Sequence, residues 1–518
     1  MLHHLNSPLH SLFTFLEKPE GVFRLHGLKG SSPAFILSRL YRTSSLPFLI
    51  VTADEEKAER FLEEVRFFSG SGVPVDLYPG WDGRPFEKIS PSLENMGQRW
   101  RVRHKLLAEP GAGIVVAPIK ALLQRIPPRK VHLGASILLA QGKEGQREEV
   151  LERLSQLGYS RVSLVHEIGE FAVRGNLLDF YSPAAPVPLR VEFFGDQVEA
   201  IRAFDPDTQR SLEPQEEALI LPVKEVLYTP EFVARAEKKL KNSLLLDPAF
   251  ADAAEELLEK IRQGIPFPGL EFYCPFFYDR LESFFDTLSP QTCVFLDEPP
   301  ELEEGLGRFF EEVEEGFAEA SRRGEFWPTP RELYLSEEEF AGLSEMFPRV
   351  TFQGLEVEEE GPRLRLETDS HERLRSELLA SKSEEGILRV MAQRIRAAAE
   401  KGVCTILTCS SLRSAERLDE MLARHNLRGK ILNKPFPDWT PEDSSGWDVT
   451  LILGNLSRGF SFPQAGLMII SEAELFGEKR LRKRRALPRR DHALTAFSEL
   501  SVGDYVVHTD HGIGIYRG

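Results

Sequence analysis

Between Val22 and about Arg125, continuous apolar runs alternate with stretches of helical period. Phe48-Leu-Ile-Val-Thr-Ala53 is an unbroken apolar run of the kind buried on both faces of a sheet, and Phe61, Val65 and Phe68 follow it at helical spacing. Val75-Asp-Leu-Tyr-Pro79 and Ile114-Val-Val-Ala-Pro118 repeat the strand-then-proline signature, which predicts a parallel, doubly wound sheet. The period changes between His166 and Arg210. Leu177 to Phe180 and Arg190 to Phe194 alternate apolar with polar residues, and Gly175 and Gly195-Asp196 stand at the breaks, so short antiparallel strands joined by tight turns are expected. Proline marks both crossings, at Pro127-Pro128 and at Leu221-Pro222, as it does where one rigid unit is inserted into another.

Helical spacing returns from Phe232 to Leu245 and from Phe250 to Gln263. Glu301 to Glu319 interleaves acids with Leu306, Phe309, Phe310, Val313 and Phe317, which describes an amphipathic helix with a solvated acidic face. Glu356 to Glu360 before Gly361-Pro362 reads as a loop. One helix is expected from Ser376 through Glu400. Val403 to Thr408, Val449 to Leu453 and Gly466 to Ile470 then supply the strands of a further α/β domain.

Length and charge narrow the function. At 518 residues the chain needs several domains, and 42% hydrophobic residues suffice for several cores. Its net charge of −17 opposes indiscriminate binding to nucleic acid, so any DNA contact has to be local. Cys274, Cys293, Cys404 and Cys409 form no Cys-x-x-Cys pair and have no histidine at zinc spacing; a reduced cytoplasmic protein without a structural metal is expected. No apolar run has the length of a membrane span, and no membrane partner is expected.

The stretch from His166 to Arg210 carries the most specific signal. Arg174, Arg190 and Phe194 would set two arginines and an aromatic on a small sheet, a composition suited to anchoring a partner, unless Phe194 is core and the arginines only solvate the rim. Glu170-Phe-x-x-Arg174-Gly-x-x-x-Asp179, Arg190-x-Glu-Phe-Phe194 and Phe204-Asp-x-x-Thr-Gln-Arg210 resemble the module shared by the nucleotide-excision-repair subunit UvrB and the transcription-repair coupling factor family. The resemblance implies that this domain binds UvrA, and the partner-binding residues of the family fall on Arg174, Arg190 and Phe194.

His26-Gly-Leu-Lys-Gly-Ser-Ser-Pro-Ala34 lies between a strand and a helix, where a phosphate-binding loop would sit. Such a loop needs Gly-x-x-x-x-Gly-Lys-(Ser/Thr): amides around the phosphates, a lysine to neutralise them and a hydroxyl on magnesium. Aligned on helicase-like relatives from Gly27, with Gly30 inside the loop, Ser32 replaces the second glycine, Pro33 the lysine and Ala34 the hydroxyl residue. Pro33 removes a charge and an amide donor together. Cys293-Val-Phe-Leu-Asp297-Glu298 has the shape of the acidic magnesium-holding strand of an ATPase, and without the lysine it reads as a relic. No cofactor is therefore expected, and no catalysis by this chain.

Lys479 to Arg490 is densely basic and broken by Pro488, so an extended linker is expected, with Arg482, Lys483, Arg484 and Arg485 as the candidate DNA contacts. Val502-Gly-Asp-Tyr-Val-Val-His508 and His511-Gly-Ile-Gly-Ile-Tyr516 resemble the opening of the family's RNA-polymerase-interacting domain, which residues 500–518 would begin without closing.

The expected fold class is α/β and multidomain: a degenerate P-loop helicase-like parallel sheet interrupted by a small antiparallel sheet domain, then a further α/β domain. The expected divisions are 1–127 for the first part of the helicase-like domain, 128–222 for the small sheet, 223–367 for the second part, 368–475 for a scaffold domain, 476–499 for the linker and 500–518 for the polymerase-interacting start. The chain resembles the N-terminal part of a coupling factor. Full-length members displace stalled RNA polymerase by ATP-driven translocation on double-stranded DNA and recruit UvrA, so the resemblance implies recruitment as the role of these residues. Two alternatives compete: a UvrB-like ATP-dependent repair enzyme, opposed by Pro33 and Ala34, and a DNA-binding module built on the basic linker, opposed by the net charge.

Overall fold

The computed structural model of the chain describes residues 9–476, apart from 19, 45, 112, 247–250, 355–360 and 381–383, together with strands at 505–508 and 512–515. Residues up to Leu475 form one compact unit, and Phe476–Gly518 a second. Among the described residues, no helix is long and apolar enough to cross a membrane.

The first sheet has seven strands in the order Arg363–Arg365, Val22–His26, Arg349–Gln353, Cys293–Asp297, Phe48–Thr52, Ile114–Pro118, Val75–Leu77. Every pairing in it is parallel, as the alternation of strands and helices predicts. Phe48–Thr52 lies inside the sheet and is buried at every position, which is why its apolar run is unbroken. Three of the seven strands come from after the small sheet domain, so the first sheet is complete only once the chain has left it and returned.

The small sheet runs Ser211–Gln215, Gln197–Phe204, Leu189–Phe194, Leu177–Phe180, Glu170–Arg174, Ser160–Arg161. Its pairs are antiparallel except the last. Gly175 and Gly195, at φ of 60° and 61°, open the two tight hairpin turns where a side chain would be strained. Leu178, Phe180, Val191 and Phe193 point to one face, where they pack with Val150 and Leu154 of the helix Arg147–Gln156.

A third sheet has the order Gly429–Leu432, Val449–Leu453, Cys404–Cys409, Leu467–Ser471, Phe460–Phe462, parallel except at the Phe460–Phe462 edge. The single helix expected over 376–400 is two, Glu372–Ala380 and Glu384–Glu400. The acidic amphipathic helix extends over Pro299–Arg322 and buries Leu302 and Val313. Tyr505–His508 and Gly512–Ile515 pair as an antiparallel ribbon in the second unit. The loop 356–360, His511 and the basic run with Arg482, Lys483, Arg484 and Arg485 lie outside the described residues.

Both crossings into the small sheet are fastened to one helix, Leu93–Ala108. From it, Arg99 Nε donates to Glu225 Oε1 at 2.7 Å and Nη1 to the Pro79 carbonyl at 2.8 Å, with the guanidinium 4.6 Å over the Tyr78 ring. Trp81 Nε1 donates to the other Glu225 oxygen at 3.1 Å. The next residue, Trp100, holds the Lys224 carbonyl through Nε1 at 3.0 Å, and one turn along Arg103 Nη2 holds the Pro127 carbonyl at 2.7 Å. Tyr278 OH, from the second part of the module, donates to the Glu225 carbonyl at 2.7 Å. The Arg99 and Glu225 side chains are 0% and 2% exposed, so losing one strands a buried charge. Glu225→Ala should therefore cost about 3–5 kcal/mol in chemical denaturation, and an unchanged denaturation curve would show that the crossing is held by other means.

Candidate protein-binding surface

Strand alternation sends a second set of side chains to the outer face of the small sheet. The register sets Asp179 opposite Arg190, Arg190 opposite Arg202 and Glu192 opposite Ala200, with Arg174 and Phe194 in the same alternation at the strand ends. Phe193 and Phe194 are adjacent, so one must point in and the other out. Phe193 is 1% exposed and Phe194 74%, the highest exposure of any large apolar side chain among the described residues. Phe194 as a core residue is thereby excluded.

The two arginines differ in kind. Arg190 makes a two-pronged pair with Asp179, Nε to Oδ1 at 2.7 Å and Nη2 to Oδ2 at 2.9 Å, and its guanidinium lies 4.8 Å over the Phe204 ring. Its side chain is 16% exposed and serves the sheet's own structure. Arg174 is 45% exposed, with Nη2 3.2 Å from the Ser163 carbonyl and 3.8 Å from Asp179 Oδ2. It is the more available of the two. Arg202 and Glu192, 3.6 Å apart on the same face, escaped the sequence reading because only the strand register places them beside Phe194.

The remaining motif residues brace this platform. Asp205 Oδ1 accepts from the Thr208 amide at 2.7 Å, the Thr208 hydroxyl at 2.9 Å and the Asp207 amide at 3.0 Å. Those bonds hold its carboxyl below the usual range. Gln209, at φ of 60°, donates from Nε2 to the Val165 carbonyl at 3.0 Å and the Pro206 carbonyl at 2.7 Å. Phe204-Asp-Pro-Asp-Thr-Gln209 is thus a self-bonded turn.

The nucleotide-like loop is filled by the chain itself. Thr368 Oγ1 accepts from the Lys29 amide at 2.8 Å and donates to the Gly27 carbonyl at 2.9 Å, and Ser32 Oγ also accepts from the Lys29 amide at 2.9 Å. A Cβ on Gly27 would meet the Leu366 carbonyl oxygen at 2.4 Å, and one on Gly30 the Gly459 oxygen at 2.1 Å. Pro33 sits in the first turn of the helix Ser32–Ser44, and Ala34 is buried in the core. The Lys29 side chain is exposed.

Asp297 ends the strand Cys293–Asp297, which Arg349–Gln353 separates from Val22–His26, and Glu298 follows it. Glu298 adopts φ of 49° and its Oε1 accepts the Gly354 amide at 2.8 Å, tying two strand ends together. Burial pushes Asp297 up to about 6. Burial likewise raises Glu64 to about 7, although Ser457 Oγ donates to its Oε1 at 2.7 Å from the third-sheet region.

Three family models match the chain: UvrB interaction domain over residues 137–226, MFD, D3 domain over 401–475, and CarD-like/TRCF RID domain over 500–518. Transcription-repair-coupling factors align along nearly all of it. That of Myxococcus xanthus is 31% identical over 513 residues, 96% of this chain. Those of Bacillus subtilis and Escherichia coli are 27% and 25% identical, over 95% and 96% of the chain. The chain belongs to the transcription-repair-coupling factor family. It spans 42% of the length of each of these three relatives. All six strands of the small sheet lie within the UvrB-interaction match, and the third sheet within the D3 match. In this coupling-factor chain the ribbon Tyr505–His508 with Gly512–Ile515 falls inside the match to the polymerase-interacting domain.

The raised carboxyl of Glu64 sets a pH dependence. Between the ordinary glutamate value of 4.5 and about 7 the folded chain keeps a proton that the unfolded chain releases, so this contribution to stability is full below that window and lost as pH rises through it. Glu64→Gln should be about 2–3 kcal/mol more stable than the parent at pH 8, with the gain gone at pH 4. Denaturation at the two pH values measures this, and an equal gain at both would contradict it.

Proposed function

We propose that this chain recruits UvrA during transcription-coupled nucleotide excision repair, and that the outer face of the small sheet is where UvrA docks. The observation that carries the proposal is Phe194: a large aromatic 74% exposed on a rigid sheet, with Arg174 half-exposed on the same face. An aromatic anchor flanked by guanidinium groups that can pair with carboxylates is the composition of an interface hot spot. The match to the UvrB interaction domain, over residues that include all three candidate positions, supports the same assignment. RNA polymerase is the second proposed partner, through residues 500–518, on the strength of their match to the polymerase-interacting domain. Double-stranded DNA and ATP-driven translocation are assigned to the family and not to these residues.

The nucleotide-like loop is proposed to be structural. Thr368 occupies amide and carbonyl positions that a phosphate-binding loop would turn toward its ligand, and Pro33 and Ala34 supply neither charge nor hydroxyl. A UvrB-like ATPase has no observation in its favour here.

Gel filtration and calorimetry with purified UvrA test the proposal. UvrA should bind without ATP turnover by the chain, and Phe194→Ala or Arg174→Ala should each weaken binding by about 2 kcal/mol with an unchanged melt. Arg190→Ala should weaken binding and also cost about 3 kcal/mol of stability, because it leaves the buried Asp179 carboxylate with only the longer 3.8 Å contact to Arg174. Full UvrA affinity in the double variant Arg174→Ala, Phe194→Ala would remove the basis for recruitment through this face.

A further inference from the structure

The strand register lays out the outer face of the small sheet in rows. Beside the end that carries Phe194, one row sets Arg174, Leu177 and Glu192 side by side on successive strands. The next row sets Asp179, Arg190 and Arg202 side by side in the same way. The two rows hold three guanidinium groups against two carboxylates, a local excess of positive charge in a chain of net charge −17.

The three arginines are not equally available. Arg190 is committed to Asp179 by its two-pronged pair and is 16% exposed. Arg174, at one flank, and Arg202, on the third strand from it at the other, are 45% and 47% exposed, and three strand spacings put about 14 Å between their rows of backbone. Arg202 Nη1 lies 3.6 Å from Glu192 Oε2, longer than a hydrogen bond, and the Glu192 side chain is itself 39% exposed. A pair so long and so well solvated holds weakly and can be exchanged for another carboxylate. On its far side Arg202 stands opposite Pro214 of the edge strand Ser211–Gln215, which offers no side-chain acceptor.

We propose that Arg202 is a further docking residue of this face, and that a carboxylate of UvrA takes the place of Glu192 beside it. The assignment rests on UvrA docking to this face, and it divides the arginines by role. Arg174 and Arg202 meet the partner from the two flanks of the sheet, while Arg190 holds the sheet between them through Asp179. Glu192 is then a competitor within the chain: it neutralises Arg202 before docking, and being partly exposed it can be solvated once displaced. Charges at the rim of an interface act mainly on the association rate and on its salt dependence.

Calorimetry and stopped-flow association of the full chain with purified UvrA test this. Arg202→Ala should weaken binding about tenfold, chiefly through slower association, with an unchanged melt, and the difference from the parent should shrink as salt rises. Glu192→Gln should tighten binding about threefold in the parent and have no effect in the Arg202→Ala background, where the competitor has nothing left to hold. Phe194→Ala is measured beside them as the control for the face itself. Parent affinity in Arg202→Ala while Phe194→Ala binds weakly overturns the role of Arg202 and leaves the docking face standing; parent affinity in both removes the docking face as well. Weaker binding on Glu192→Gln, or an equal change in both backgrounds, would show that Glu192 itself meets the partner and would overturn the exchange.

Discussion

Arg99 and Glu225, a guanidinium and a carboxylate both shut away from water, hold the point where the chain returns from the small sheet to the body of the first. Removing two charges from water is costly, and an isolated pair would not repay it. Here part of the cost is offset by neighbours: the Pro79 carbonyl, the Trp81 indole and the Tyr78 ring all engage the same two side chains. Arg103 and Trp100 on the same helix fix the carbonyls of Pro127 and Lys224, so the departing and returning strands of chain are clamped together. A partner seated on Phe194 therefore pulls on a sheet whose base is fastened, not on a tethered loop. Rigidity of this kind reduces the ordering that docking would otherwise require.

The sequence revealed period more readily than side. Buried runs such as Phe48–Thr52 and the alternation around Gly175 and Gly195 were legible because their patterns are long or bounded by glycine. Gly429–Leu432 and Phe460–Phe462 were not, because strands so short carry too few residues for a period to show, and Arg349–Gln353, as long as Phe48–Thr52, was not because Arg349, Thr351 and Gln353 interrupt its apolar residues. Alternation placed Phe193 and Phe194 on opposite faces but left open which face the helix Arg147–Gln156 would cover. Arg190 was legible as an arginine on a sheet. Its partner Asp179 became visible only with the register that sets the two strands side by side.

The nucleotide-like loop shows the same limit over a longer span. Pro33 and Ala34 depart from the phosphate-binding pattern, but nothing local pointed to Thr368, which reaches the loop from the other end of the module. Its hydroxyl, the Leu366 carbonyl and the Gly459 carbonyl press against a loop whose glycines permit the approach. Ser457 meanwhile reaches Glu64 from beyond the third sheet's central strands. The loop is packed here as a joint between sheets, with a buried carboxyl at Glu64 and a partly buried one at Asp297, both raised so that neutral pH works against them.

That the small sheet presents a preformed docking face is tested most directly by hydrogen exchange of the chain with and without UvrA. The account predicts added protection along Leu189–Phe194, Gln197–Phe204 and Glu170–Arg174, with exchange in Cys404–Cys409 and Leu467–Ser471 unchanged. Protection confined to the third sheet, or none in the small one under conditions where a complex forms, would contradict it.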